Sequence, residues 1–409
     1  MGDGRYERFI AALSETAPVS IRLNPLKTDG CAVASAWDDG EVPWCKEGHY
    51  LKSRPDFTFD PLLHAGAYYV QEASSMFVCH VLQSLVHEPV TMLDLCAAPG
   101  GKSTATRAVL PEGSLLYSNE PIRQRYHILE ENLQKWGHPD VVPTNRYPRD
   151  YARSGMTFDV ILCDVPCSGE GMFRKDEGAV GEWSEANVRR CQQLQRDIVS
   201  EAWQCLRPGG YLIYSTCTYN AHENEENIAW MLDTLEATPV VIPTEASWGI
   251  TGPLAGDPAL PLYRFIPGFT KGEGLFMAVV KKEGLSQGQG ARGRGQENTS
   301  PQVGTGRPLS AGNGPLSKLP NAQTPKLSGQ TSNVPTIDVD YPTAIAYLRG
   351  EAVVLPADTP RGPVTIGYQG LPLGQAKNIG TRANNLYPKP WRIRSQAAHE
   401  AFQLIEKKR

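Results

Sequence analysis

The fold is decided by residues 90–102, which read VTMLDLCAAPGGK. Residues 90–95 are typical of a buried strand, and the small residues that follow predict a tight turn opening a helix from about Lys102. Small side chains let a ligand approach the backbone, and the first N–H groups of the helix point toward it. An ordinary turn would need only a glycine pair, and a dinucleotide site would need the spacing Gly-x-Gly-x-x-Gly, which is missing. We therefore predict a ligand-binding turn.

Strand-like and helix-like segments alternate on either side of this turn. Further strands are predicted at residues 115–118, 141–142, 158–163 and 211–214, with a late strand at 275–281. Helices are predicted at residues 121–135, 188–206 and 222–235, with Pro121 in the first turn of its helix. The alternation indicates an α/β fold with a doubly wound, Rossmann-like parallel sheet.

Composition divides the 409 residues into four parts. Residues 284–335 are rich in Gly, Ser, Pro, Gln and Asn and contain no aromatic residue, which predicts a flexible linker. We expect a small α+β N-terminal domain at 1–65, the sheet domain at 66–283 and a small β-rich C-terminal domain at 336–409. A helix over residues 66–85 is expected to join the first domain to the sheet.

The charge is unevenly distributed. Residues 284–335 carry five basic and one acidic residue and residues 336–409 carry ten and six, so the net charge of −4 leaves −12 on residues 1–283. This distribution permits a polyanion held mainly by the C-terminal part. Nine cysteines without a Cys-x-x-Cys pair, and no run of membrane-spanning length, predict a reducing cytoplasm, no metal and no membrane contact.

Two cysteines, Cys167 and Cys217, each follow the end of a predicted strand, where ligands bind in open α/β sheets. Residues 168–171 predict a flexible polar loop, whereas Cys163 lies within an apolar run and is expected to pack in the core. A disulfide between Cys167 and Cys217 is the alternative, which a reducing compartment disfavours. Two thiols beside Asp164 indicate covalent chemistry on an electrophilic carbon. Glu120, which ends the second strand, is placed to bind ribose hydroxyls.

Three motifs together resemble one family. They are the turn at 94–102, the run Asp-x-Pro-Cys-Ser-Gly-x-Gly-x-x-Arg at 164–174, and Ser-Thr-Cys-Thr at 215–218. In this order they resemble the NOL1/NOP2/Sun family of S-adenosylmethionine-dependent RNA cytosine-5 methyltransferases. The resemblance covers residues 15–283, and the end of the chain is similar to the C-terminal domain of the bacterial ribosomal RNA branch (the RsmF type). It implies RNA-binding N-terminal and PUA-like C-terminal domains around a methyltransferase domain.

The resemblance also implies roles for individual residues. It gives the attack on the base to Cys217 and the release to Cys167, a choice that the chemistry of the residues leaves open. Asp164 would hydrogen-bond the cytosine and contact the cofactor. The S-adenosyl-L-methionine site would comprise Cys96, Ala97, Ala98, Pro99, Gly100, Gly101, Lys102, Glu120, Arg125 and Asn145. Many relatives carry Asp-Gly after the third strand, and this chain does not, so the adenine contact falls to Asn145 or to Asp150.

Other charged segments indicate either contacts with RNA or the capping of a helix. Residues 377–394 hold five basic residues and no acidic one, with Tyr387 and Trp391 for stacking on unpaired bases. This chain has Asn-Asn-Leu at 384–386, where the branch often has Lys-Asn-His. Arg174 is a candidate for a phosphate contact, and residues 223–225 are typical of a helix N-terminal cap region with acidic residues suited to the helix dipole.

We therefore predict a monomeric enzyme that methylates cytosine C5 in RNA, with ribosomal RNA preferred over transfer RNA. Methylation of a transfer RNA is one alternative. A non-catalytic RNA-binding ribosome assembly factor is another, and methylation of a small molecule or a protein on the same sheet is a third.

Overall fold

The structure is a computed structural model that describes residues 2–284, 334–397 and 400–407. The predicted linker at 284–335 therefore lies outside the described residues except at its two ends. Three sheets of four or more strands are present in the described part of the chain. No helix among the described residues is long and apolar enough to cross a membrane.

The N-terminal region forms an antiparallel sheet in the order β3-β4-β1-β5. Its elements are α1 (Asp3–Leu13), β1 (Val19–Leu23), β2 (Cys31–Val33), β3 (Asp38–Val42), β4 (Cys45–Leu51), α2 (Pro61–His64) and β5 (Tyr68–Val70). The prediction of one helix over residues 66–85 is wrong, because Tyr68–Val70 pairs with β1. A Tyr-Tyr-Val run suits a half-buried strand better than a helix. The first sheet thus uses residues on both sides of position 65.

The central region alternates strands and helices as predicted. Its elements are α3 (Phe77–Leu85), β6 (Thr91–Asp94), α4 (Gly101–Val109), β7 (Leu115–Asn119), α5 (Arg123–Trp136), β8 (Val141–Thr144), α6 (Pro148–Ser154), β9 (Phe158–Asp164), α7 (Glu177–Glu182), α8 (Glu185–Cys205), β10 (Leu206–Thr216), α9 (Glu225–Thr234), β11 (Ala237–Pro239), β12 (Leu262–Phe265) and β13 (Leu275–Lys282). Pro121 precedes α5 instead of lying in its first turn.

The central sheet has the order β11-β13-β10-β9-β6-β7-β8, with β12 paired to β13. Neighbours from β10 to β8 are parallel, and the late strand β13 runs antiparallel to β10. Adjacent residues of one strand face opposite layers of helices, so Met92 lies in one hydrophobic core and Leu93 in the other. This arrangement confirms the predicted Rossmann-like fold, and it brings the carboxyl ends of β6, β7, β9 and β10 to one edge of the sheet.

The C-terminal region is the predicted small β-rich module, and it packs on the N-terminal region. Its elements are β14 (Thr336–Asp338), α10 (Tyr341–Arg349), β15 (Gly362–Tyr368), β16 (Leu371–Asn378), β17 (Ala383–Asn385) and β18 (Ile405–Lys407). Its core includes Phe59 and Ala65 of the N-terminal region. The chain then returns, because β18 pairs antiparallel with β2 and Leu404 is buried beside Ile21. The N-terminal and C-terminal regions are therefore packed directly against each other.

Candidate active site

The turn after β6 brings backbone groups to the sheet edge. Gly100 has a φ of 112°, a left-handed conformation that glycine adopts readily, and α4 begins at the next residue. The carbonyl of Ala98 accepts a hydrogen bond from Arg125 Nη2 at 2.8 Å, and that of Pro99 accepts one from Asn132 Nδ2 at 2.8 Å. Arg125 therefore supports this turn from the following helix.

Cys96 and Ala97, at the start of the turn, are buried. Ala97 N donates to the carbonyl of Asn119 at 2.7 Å, which ties the turn to the end of β7. Cys96 is buried, and burial raises the pKa of its thiol, so it packs as an apolar side chain. Gly101 lies against Tyr69, to whose ring an added Cβ would come within 3.4 Å. A ligand can thus approach this backbone only from the open edge of the sheet.

Glu120 lies at the end of β7 with a fully buried side chain. Its Oε1 accepts a hydrogen bond from Ile122 N at 2.9 Å. Its Oε2 lies 3.5 Å from Arg125 Nη1 and accepts no hydrogen bond from the described residues. Buried acceptors are nearly always satisfied, so this oxygen fits a ligand that supplies a hydroxyl donor. The carboxylate of Glu120 thus suits the ribose hydroxyl groups of an adenosine ligand.

Asp94 is a second buried carboxylate at this edge, and it is not among the predicted site residues. Ser103 Oγ donates to Oδ2 at 2.6 Å, and Oδ1 has no hydrogen-bond partner among the described residues. Burial raises the pKa of Asp94 to about 7. An acidic residue within an otherwise apolar strand was the available signal. Its free oxygen suits a cationic amino group of the ligand.

Asn145 is the better placed of the two adenine candidates. Its Nδ2 donates to the carbonyls of Glu120 and Pro121, at 2.7 and 3.0 Å. Asp150 instead accepts a hydrogen bond from Tyr147 N at the start of α6. Asn145 therefore lies beside Glu120, whereas the carboxylate of Asp150 caps a helix.

Cys167 and Cys217 are brought into contact, with their Sγ atoms 3.1 Å apart. Both are free thiols and partly exposed. Gly171 N donates to the carbonyl of Cys217 at 2.8 Å, and a Cβ at this glycine would lie 2.7 Å from the same oxygen. The loop that follows β9 can fold over the end of β10 only because residue 171 has no side chain.

The two thiols differ in their ionisation. The hydrogen bond from Cys167 lowers the pKa of Cys217, although burial and the nearby Asp164 act in the opposite direction. The same hydrogen bond, together with burial, raises the pKa of Cys167 well above its usual value. Cys217 is therefore the more acidic thiol of the pair.

Lys102 and Asp164 form an ion pair beside Cys217. Lys102 Nζ lies 2.9 Å from Asp164 Oδ2, with side-chain exposures of 14% and 29%. Burial acts to lower the pKa of Lys102, but Asp164 and Cys217 together raise it. The lysine that opens α4 thus contributes positive charge to the site where the thiolate forms. Among the described residues, no group of three or more His, Cys, Asp or Glu side chains could hold a metal ion.

Two expectations about the surrounding residues are wrong. The loop after Cys167 is anchored, because Glu170 is buried and accepts hydrogen bonds from Tyr219 N and Asn220 N. Arg174 is bound to Glu273 at 2.9 Å and to backbone carbonyls, so it is not free for phosphate. Residues 223–225 lie at the start of α9 as predicted, with Asn224 at the N-cap. Glu223 and Glu225 are both buried, the latter paired with Arg264.

The basic segment of the C-terminal region is only partly available to RNA. Tyr387 is 2% exposed and packs on Tyr347, with ring centroids 5.5 Å apart, so it cannot stack on a base. Trp391 is partly buried, and Arg392 donates to the carbonyl of Tyr387. Four basic side chains remain exposed: Lys377, Arg382, Lys389 and Arg394.

Comparisons with known proteins follow the same division of the chain. A family model described as 16S rRNA methyltransferase RsmB/F matches residues 81–281. The N-terminal domain of 16S rRNA methyltransferase RsmF matches residues 1–73, and the methyltransferase RsmF PUA domain matches residues 334–393. Together the three matches span most of the described chain.

Individual relatives agree. Ribosomal RNA small subunit methyltransferase F of Enterobacter sp. (strain 638) is 31% identical over 442 aligned residues, covering 94% of this chain and 92% of the relative. The protein of that name from Cronobacter sakazakii is 34% identical over 286 residues, 67% of this chain and 59% of the relative. A solved methyltransferase homolog protein from Pyrococcus horikoshii has a TM-score of 0.57 at 26% identity, covering 68% of this chain and 90% of that one. NSun6 from the same organism, solved with SFG, shares the fold at 19% identity, with a TM-score of 0.55 over 69% of this chain and 95% of that one.

Proposed function

Because this chain belongs to the RsmB/F family of 16S rRNA methyltransferases, we propose that it methylates C5 of a cytosine in 16S ribosomal RNA through a covalent adduct on Cys217. Its cofactor is S-adenosyl-L-methionine, which when bound supplies an electrophilic methyl group. The observation that carries the proposal is the 3.1 Å contact between the thiols of Cys167 and Cys217. Methylation of a nitrogen or an oxygen needs no thiol nucleophile, whereas C5 of cytosine does, because that carbon is a poor nucleophile.

The first step belongs to Cys217. Its thiolate adds to C6 of the cytosine, and the electron pair of the C5–C6 double bond moves onto C5, which becomes an enamine carbon able to accept the methyl group. Asp164 is assigned the hydrogen bond to the amino and N3 edge of the base, which stabilises the adduct. Lys102 orients Asp164 through their 2.9 Å ion pair. A positioned nucleophile and an oriented carboxylate thereby replace one difficult step by two easier ones.

The second step restores the aromatic ring. A base removes the C5 proton, the C5–H electron pair re-forms the C5–C6 double bond, and the bond from C6 to Cys217 Sγ breaks to release the thiolate. We assign this release to Cys167, the second thiol in contact with Cys217. The target base must leave its stack to reach both cysteines, so we expect a loop or a flipped nucleotide.

The cofactor site is assigned to the turn and the two strand ends beside it. The N-terminus of α4 and residues 96–101 would hold the methionine part, and the free Oε2 of Glu120 would accept from a ribose hydroxyl. The unpaired Oδ1 of Asp94 would face the amino group, and Asn145 would lie near the adenine. Arg125 would act indirectly, through its hydrogen bond to Ala98.

The RNA is assigned to the two flanking regions together with the sheet edge. The exposed Lys377, Arg382, Lys389 and Arg394 suit phosphate contacts. All nine cysteines of the chain are free, which supports a reducing compartment, and we propose that the enzyme acts in the cytoplasm as a monomer. A non-catalytic assembly factor would have no use for two thiols in contact. Transfer RNA is the alternative substrate, and the names of the relatives favour ribosomal RNA.

The two cysteine variants test the assigned roles. Cys217→Ser should abolish methyl transfer to 16S RNA, because the hydroxyl is not ionised at neutral pH. Cys167→Ala should leave RNA covalently bound to the protein, seen as a slow band on a denaturing gel, because release fails after attack. Intact methylation in Cys217→Ser, or methylation in Cys167→Ala without a trapped band, would refute the roles. Bisulfite sequencing of RNA from a deletion strain identifies the cytosine and separates ribosomal from transfer RNA.

A further inference from the structure

Glu223 is a buried carboxylate directly behind the two catalytic thiols. Its side chain is fully buried, at the turn between β10 and α9. Its hydrogen-bond donors in the described part of the chain are three neutral amide groups. They are Ser168 N at 3.0 and 3.3 Å, Gln195 Nε2 at 2.6 Å and Asn220 Nδ2 at 2.8 Å. A buried carboxylate held only by neutral donors is costly, which calls for a role beyond packing.

The donors of Glu223 connect the two thiol-bearing segments. Ser168 follows Cys167 directly, and its Oγ contacts Thr218 Oγ1 at 3.0 Å, beside Cys217. Asn220 Nδ2 donates to Thr218 Oγ1 and, on the Cys167 loop, to Glu170 Oε1, at 3.0 and 3.1 Å. One carboxylate therefore holds the loop after β9 against the end of β10, the arrangement that places the two sulfurs in contact.

We propose that Glu223 is a positioning residue that decides which of the two thiols carries the negative charge. Its carboxylate accepts a hydrogen bond from Ser168 N, the amide next to Cys167, and it therefore keeps the proton of the pair on that sulfur and leaves Cys217 as the thiolate. The inference rests on the proposed function, because only covalent attack on a base requires this choice between two sulfurs.

The charged and titratable groups around the pair support this direction. Cys167 faces the Cys217 thiolate, Glu223 and the hydroxyl of Tyr214, and both Cys217 and Glu223 raise its pKa. Cys217 faces Lys102, Asp164 and Tyr219. The positive charge of Lys102 thus lies on the side of Cys217 and the negative charge of Glu223 on the side of Cys167. Both charges favour the thiolate at position 217, whereas Asp164, on the same side as Lys102, opposes it.

The test measures where a small alkylating reagent reacts, because only thiolates react appreciably. The full-length protein, without cofactor or RNA, is treated with limiting iodoacetamide at neutral pH, and peptide mass spectrometry gives the ratio of labelling at Cys217 to that at Cys167. The ratio should favour Cys217 in the unmodified chain. In Glu223→Gln it should fall about tenfold or more, since a charge this close shifts a pKa by at least about one unit.

Three further variants separate charge from folding. Glu223→Asp keeps the charge and should retain the preference for Cys217. Glu225→Gln removes an equally buried carboxylate whose charge Arg264 already neutralises, so it should lower the melting temperature and leave the ratio unchanged. Gln195→Lys leaves Glu223 in place but adds a cation beside it, and it should also lower the labelling ratio. This variant takes the place of Glu223→Gln if that protein is not recovered folded.

An unchanged ratio in Glu223→Gln or in Gln195→Lys, with only a lower melting temperature, would overturn the inference and leave Glu223 a structural residue. Because the labelling ratio needs neither cofactor nor RNA, it is independent of the methylation and trapping assays. A protein that fails to methylate RNA and keeps the labelling preference would refute the proposed function alone.

Discussion

Replacing Lys102 by methionine should shift the pH profile of methyl transfer to higher pH. Cys217 faces two opposite charges, since Asp164 raises the pKa of its thiol and Lys102 lowers it. The variant removes the cation and leaves a carboxylate that is only 29% exposed without its 2.9 Å partner. Loss of the cation leaves the effect of Asp164 unopposed, so the pKa of Cys217 should rise by about one unit or more.

The consequence is a loss of thiolate at neutral pH that alkali restores. Below the pKa, each unit of increase lowers the thiolate fraction about tenfold, so the single-turnover rate at saturating cofactor should fall at least about tenfold. The rate should recover as pH rises through the new pKa. Iodoacetamide alkylation of Cys217 without cofactor should show the same displacement to higher pH, which separates ionisation from cofactor binding.

Two variants control for the sign of this effect. Asp164→Asn removes the opposing charge and should displace the alkylation profile of Cys217 to lower pH. Lys175→Met removes a more exposed lysine, 3.9 Å from Glu273, and should leave the profile unchanged. A slow Lys102→Met enzyme whose alkylation profile coincides with that of the unmodified chain would refute the electrostatic reasoning.

The other predictions concern the cofactor, pH and domain contact. Glu120→Gln should weaken S-adenosylmethionine binding about tenfold or more in calorimetry, because the amide keeps a single acceptor oxygen, which Ile122 N occupies, and presents to the ribose an NH2 group that cannot accept; equal affinity would exclude the ribose contact. The carboxyl group of Asp94 binds its proton more tightly in the folded protein than in the unfolded chain. Its contribution to the free energy of unfolding is therefore lost as pH rises from about 4 to about 7. Asp94→Asn should therefore remove a pH-dependent difference of up to about 4 kcal/mol in denaturant unfolding, and an unchanged pH dependence would contradict this. Leu404→Ala should cost about 2–4 kcal/mol in the same experiment and, if β18 secures the N-terminal region, should increase amide exchange in β2; unchanged exchange would contradict that contact.

Much of the central region could be predicted because its signals are local. Apolar runs of strand length, bounded by glycine and proline, predicted the ends of β6, β7, β9 and β10 to within two residues. The exception is the start of β10, which begins earlier than predicted, at Leu206. The prediction failed at residues 66–85, where an apolar run of sufficient length is split between a strand and a helix. The strand forms there because β1 offers a pairing edge, and β1 lies about 50 residues earlier in the chain.

Buried polar residues were the main features of the site that the sequence did not predict correctly. Glu170 was predicted to lie in a flexible loop and Arg174 to be available for phosphate, and the burial of Glu223 and Glu225 was not predicted; all four side chains are buried among partners that include residues far away in sequence. Tyr387 was misjudged for the same reason, since only the packing of Tyr347 against it takes its ring out of reach of a base. Burial depends on what the rest of the chain places around a residue, and a local pattern does not contain that information.

The sequence by itself determined the class of sheet, the turn that opens α4, and the two cysteines at strand ends, because strand periodicity and glycine conformation act over a few residues. Only the tertiary structure decided that the two sulfurs lie 3.1 Å apart, which of them has the lowered pKa, and which carboxylates surround them. Distances between side chains 50 residues apart, and the dielectric environment that shifts their ionisation, exist only after the strands have paired and the helices have packed on both faces.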